Sequence, residues 1–201
     1  MDARRLFLDQ HSAVHSMAVG KNANSVSEQA FGGLTDAQMR MRPLEDLNSL
    51  AWIMWHIARS EDVVINRVLA ERPQVLDEDW PARLRIDRRD VGPGMTSSEV
   101  ADLTRQIDLP ALRDYRDAVG RRTREVVGAF EPEDWEGECA AAAVARAADD
   151  GAFGRLTEML VKLFTGRPRA MLLSGIAIIH PARHLGEATT IRGLGGFGSG
   201  F

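Results

Sequence analysis

Cysteine is nearly absent: Cys139 is the only one in 201 residues, so no internal disulfide can form and a reducing compartment is expected. Lysine is almost as scarce, with Lys21 and Lys162 alone, and arginine supplies the remaining positive charge. With 25 basic against 29 acidic residues the chain carries a formal net charge of −4, which counts against nucleic acid as its main partner. Eight prolines and eighteen glycines are too few for a collagen or a disordered tract. The longest apolar run, 170–179, is interrupted by Ser174 and Gly175 and is about half of the ~20 residues a membrane span needs. At the N-terminus Arg4, Arg5, Asp9, Gln10 and His11 break up the apolar residues, so no signal-peptide core is seen there and a cytoplasmic location is expected. No strand-like alternation exceeds four residues, and no internal repeat is found.

What is present is helical periodicity. It predicts a first helix over about 2–31, a second from an Asn48 or Ser49 cap to about Ala70, a third from Asp108 to Phe130, and a last one over about 168–194. Thr35–Gln38 and Thr96–Glu99 have the form of capping boxes. The proline-punctuated stretch 73–95 and the insert at 131–150 read as crossovers carrying short helical pieces, with a further helix over 152–165. The expected fold is therefore all-α, a helical bundle with short helices in its crossovers. Residues 1–194 form its one domain, and 195–201 form a flexible glycine-rich tail, with Phe197 and Phe201 as residues that could dock on a pocket or a partner.

The chemistry of the chain is concentrated in five histidines: His11, His15, His56, His180 and His184. His11/His15 and His180/His184 are each four residues apart, which stacks two imidazoles on one helical face within reach of a single metal ion. His11 and His15 lie among Asp9, Gln10, Ser12 and Ser16, so a solvated face is expected. His180 and His184 follow the apolar segment 176–179 and are expected to point inward; a buried imidazole needs partners, and a shared cation can supply them. His56, in the apolar segment 52–58, can join them if the second and last helices are neighbours. The alternative is three separate core histidines bonded to backbone carbonyls. Pro181 must either kink the last helix or restart it. Glu187, three residues past His184, is open to several roles: fourth ligand, acceptor orienting an imidazole, general base, or surface partner of Arg183. Arg59, with Asp62, could orient an anionic substrate, though surface ion pairing is the ordinary outcome. Arg192 could bind a carboxylate at a pocket rim.

The segments 48–62 (Asn-Ser-Leu-Ala-Trp-Ile-Met-Trp-His-Ile-Ala-Arg-Ser-Glu-Asp) and 180–187 (His-Pro-Ala-Arg-His-Leu-Gly-Glu), with Ile191-Arg192-Gly193-Leu194 after them, resemble the DinB/YfiT-like superfamily. The resemblance implies a four-helix bundle of up-down-down-up connectivity. It also implies a three-histidine metal site, here His56, His180 and His184, and a homodimer. Pro181 and the long insert before the last helix depart from the commoner pattern.

The resemblance implies a range of activities, among them S-transfer and isomerisation with a low-molecular-weight thiol. Three neutral imidazoles leave the charge of a divalent ion uncancelled and positions on it open, so a bound thiol or water is acidified. All-nitrogen ligation does not choose among zinc, nickel and iron. The expected function is thus that of a metal-dependent enzyme acting on a small molecule, with thiol or water as co-substrate. The alternative is a non-catalytic metal- or ligand-binding bundle of stress-response type. A nucleic-acid-associated stress protein is disfavoured by the acidic balance. Cys139, without nearby cations in the sequence, is a poor nucleophile.

Overall fold

The computed structural model of the chain describes residues 2–198. Among them every regular element is helical, and the sole β feature is an isolated bridge between Glu138 and Pro168. Among the described residues no helix is long and apolar enough to cross a membrane.

Four long helical stretches organise the rest. Helix α1, Ala3–Val14, starts at Asp2, whose carboxylate accepts the Arg4 amide. The predicted continuous helix over 2–31 is divided into α1 and two short helices, Met17–Gly20 and Val26–Phe31. The first break falls at His15 and Ser16, which are extended; the second falls where Lys21 takes a left-handed conformation (φ 55°) and where the Ser25 hydroxyl restarts the chain by accepting the Glu28 amide. Helix α2, Leu50–Glu61, is capped by Ser49 and continues as a π-helical stretch, Asp62–Leu69. All twelve residues of α2 are buried, so it is surrounded on every side rather than amphipathic.

Helix α3, Leu109–Gly128, is capped by Asp108 and tolerates Pro110 in its first turn. Helix α4, His180–Leu194, follows Arg169–Ser174 and a π-helical turn, Gly175–Ile179, without leaving helical backbone angles. The wide turn resolves the Pro181 question: the His180 amide reaches back to the Gly175 carbonyl, and the proline ring enters the new helix at its second position.

Helix α2 packs against both α3 and α4, and α4 also packs on Val26–Phe31. One part of the core gathers around Trp52, Leu112, Tyr115 and Leu185; the other joins the π-helical end of α2 to Phe153, Phe164 and Leu173 from the insert and the last helical stretch. Cys139 is buried in the second, which raises its thiol pKa. Of the segment 195–201, Phe197 packs against the first core region, whereas residues 199–201, including Phe201, lie outside the described residues.

Candidate metal centre

Because α2 and α4 are neighbours, His56 meets His180 and His184 across the interface. The three rings are mutually edge-on, with centroids 4.8 Å (His56–His180), 4.7 Å (His56–His184) and 4.6 Å (His180–His184) apart. Two rings are held from outside. Val91 accepts a hydrogen bond from His56 Nδ1, and Glu187 Oε2 accepts one from His184 Nδ1 at 2.8 Å. Each of these rings therefore turns a bare Nε2 away from its protein acceptor. Nε2 of His180 lies 3.0 Å from Nε2 of His56, while its buried Nδ1 has no partner among the described residues.

The supports come from distinct parts of the sequence. Trp52, one turn before His56, stacks on its ring (centroids 4.8 Å, 19°). The Val91 carbonyl reaches His56 because the next residue is Gly92: its φ is +96°, and a Cβ there would lie 2.6 Å from the Trp55 ring. Asn48, just before the α2 cap, donates to Glu187 Oε1 at 2.9 Å, so that carboxylate is fixed at both oxygens. The hydrogen bond from His184 is the main cause of the lowered Glu187 pKa. Burial lowers His56 to about 4 and His180 to about 3, against ordinary values near 6.5, so both are neutral donors at physiological pH.

The donor set fits a divalent transition ion. One ligand atom from each ring lies within 4.8 Å of the others, and tetrahedral ligation with Zn–N of 2.0–2.1 Å needs nitrogens roughly 3.4 Å apart. At 3.0 Å the two Nε2 atoms are bridged either by the His180 ring proton, donated to the bare His56 nitrogen, or by a cation that takes its place. The three rings form one wall of a cavity of about 380 Å³, otherwise lined by apolar groups such as Val64, Phe153, Leu160 and Ile176, with the Ser60 hydroxyl as its other polar side chain. A larger groove, about 500 Å³, runs past Glu28, Arg113 and Asp117 and shares no lining residue with this cavity.

Other expected residues are placed differently. Arg59 is fully buried and does not line the cavity: its guanidinium donates to Asp62, Tyr115, Gln74 and the Arg89 carbonyl. Asp62 is buried as well, so neither the substrate-orienting nor the surface-pair expectation holds. Arg192 does not line the cavity beside the histidines; it donates to the Gln29, Ala30 and Gly32 carbonyls at the end of Val26–Phe31 and to Gly198. His11 and His15 are 0% and 2% exposed, which corrects the solvated reading; both face Glu61 of α2. Their polar sequence neighbours gave no sign of this, because the burying surface comes from α2 and α3.

The sequence profile of the DinB superfamily matches residues 21–188. The chain belongs to the DinB superfamily. Among solved structures it is similar to a conserved protein from Enterococcus faecalis, with a TM-score of 0.66 and 19% identity over 96% of this chain and 97% of that one, a likeness of fold. No curated protein matches the sequence. Membership of the superfamily, a helical fold and a histidine cluster able to hold a metal thus stand together in this chain.

Proposed function

We propose that this DinB superfamily protein is a metal-dependent enzyme in which His56, His180 and His184 hold one divalent ion, zinc, nickel or iron, at the wall of the 380 Å³ cavity. The observation that carries the reading is the convergence of three imidazoles, two with their outer nitrogens already committed to protein acceptors, on a space open to a second molecule. The ion would supply Lewis-acid activation of a low-molecular-weight thiol or of water.

The chain's own residues do the rest. Glu187 orients His184 and keeps its proton on Nδ1, acting as a positioning residue. Val91 does the same for His56. The apolar walls exclude water around the reacting atoms and select an uncharged, small organic substrate, since among the described residues no Asp, Glu, Lys or Arg lines this cavity. The cavity beside the rings favours this over a purely structural ion, which needs a closed shell. With the proposal go the up-down-down-up order of the bundle and an assembly of two copies, supported by the family resemblance, and a cytoplasmic location, supported by the single cysteine.

The test is metal content by mass spectrometry after removal of loose metal. Wild type should retain metal that His56→Ala loses from this site, and thiol consumption with small electrophiles should stop on chelation and return on reloading. Unchanged rates after chelation would sink metal catalysis.

A further inference from the structure

The second histidine pair lies in the core and meets a carboxylate from another helix. His11 and His15, one turn apart on and just after α1, face Glu61 at the end of α2, and all three are at least 97% buried. His11 Nε2 is 3.1 Å from Glu61 Oε1, and His15 Nε2 is 3.9 Å from Oε2, beyond a hydrogen bond. His15 Nε2 and His11 Nδ1 have no partner among the described residues. The ring of His15 occupies space that α3 leaves free: a Cβ on Gly120 would lie 2.3 Å from His15 Nε2. Burying a polar atom without a partner is costly, which makes these two nitrogens available to a ligand.

The geometry points to a second metal site, formed by His11, His15 and Glu61, for a divalent transition ion. Two borderline imidazole nitrogens and one hard carboxylate oxygen are a mixed set suited to zinc, cobalt or iron, and they supply one negative charge. The ligand atoms lie within 4.8 Å of one another, and an ion between them would engage His15 Nε2, which the hydrogen-bonded arrangement leaves without a partner. At present the Ser16 amide donates to His15 Nδ1 at 2.9 Å, which puts the ring proton on Nε2. Ligation through Nε2 moves that proton to Nδ1, which breaks the bond from the Ser16 amide and needs the ring to turn towards the Ser16 hydroxyl, 3.4 Å away, as acceptor; that hydroxyl already donates to Asp117. Ser16 is therefore a positioning residue. Arg116, which donates to Ser27 and to the Val14 carbonyl, acts electrostatically on both Glu61 and His15, and Arg124 and Arg121 also act on His15, so the carboxylate is needed to offset positive charge around the ion. With no exposed face, the site serves stability, and its ion exchanges slowly.

The experiment is a metal count on the full chain refolded with excess zinc or cobalt and then desalted. Two equivalents are expected in the wild type, one in His56→Ala/His180→Ala and one in Glu61→Gln. Ser16→Ala, which removes no ligand, should weaken the equivalent that remains in the double-histidine background by about tenfold or more. A chelator should strip the wild type in two phases, the slow one absent from Glu61→Gln. One equivalent retained in the double-histidine variant supports this site even if the cavity-side centre fails. A wild type holding one equivalent that this variant loses, or holding none, overturns it, and the trio is then a hydrogen-bonded core.

Discussion

Nε2 of His56 and Nε2 of His180 stand 3.0 Å apart although 124 positions separate them in the chain. That contact joins α2 to α4, and the account of function is built around it. Each ring is presented by a helix with a π-helical irregularity close by, Asp62–Leu69 after His56 and Gly175–Ile179 before His180. The turn before His180 re-aims the side chains that follow it by the rotation of one extra residue.

Glu187→Gln should leave the fold intact and weaken metal binding at the three-histidine site by roughly 10–100-fold, the usual loss when an orienting carboxylate is removed. The amide oxygen can still accept from His184 but carries no charge. Competition with a chromophoric chelator, in the Glu61→Gln background so that one class of site is read, measures the change. Equal affinity would show that Glu187 does not position His184.

The metal-free protein should lose stability as pH falls. His56 and His180 titrate at about 4 and about 3 when folded and near 6.5 when unfolded, so below 6.5 the unfolded chain binds more protons than the folded one. Their contribution is complete above pH 6.5, declines towards pH 4 and levels off near 3. Urea denaturation across pH 4–7 reads it, and His56→Gln should flatten the slope. A slope of equal size in that variant contradicts the assignment.

Asp62 should prove structural. It accepts hydrogen bonds from Arg59, Tyr115, Asn66 and the Val75 and Leu76 amides, which ties the chain leaving α2 back onto its own helix. Asp62→Ala strands the buried Arg59 guanidinium and should cost about 3–5 kcal/mol in urea denaturation. The fraction that stays folded should keep its metal, because neither residue lines the cavity.

Ligand preference follows from the walls of the cavity. Neutral aromatic thiols should perturb the visible spectrum of the cobalt-loaded protein at lower concentration than thiols of similar size bearing carboxylates, and Leu160→Trp should suppress the effect by filling the space. Equal response to both classes would mean that binding occurs outside this cavity.

Much of this was legible before any coordinates. The caps at Ser49 and Asp108 and the capping boxes at Thr35 and Thr96 are local signals that depend on one or two side chains, and they stand where the sequence put them. His56, His180 and His184 could be named together because their apolar surroundings and spacing point inward. The roles of Arg59, Arg192, His11 and His15 were not legible, since each is decided by partners far away in sequence: Tyr115 for Arg59, the carbonyls of residues 29–32 for Arg192, and Glu61 for the histidines. The π-helical turns were equally hidden, because shifting a backbone hydrogen bond by one residue leaves little trace in apolar periodicity.

Anomalous diffraction at the zinc edge, from crystals of the zinc-loaded protein, tests the central claim most directly. A peak is predicted about 2.0–2.2 Å from Nε2 of His56, His180 and His184, on the cavity side. Density showing the three rings hydrogen-bonded to one another with no ion between them, at saturating zinc, would contradict it.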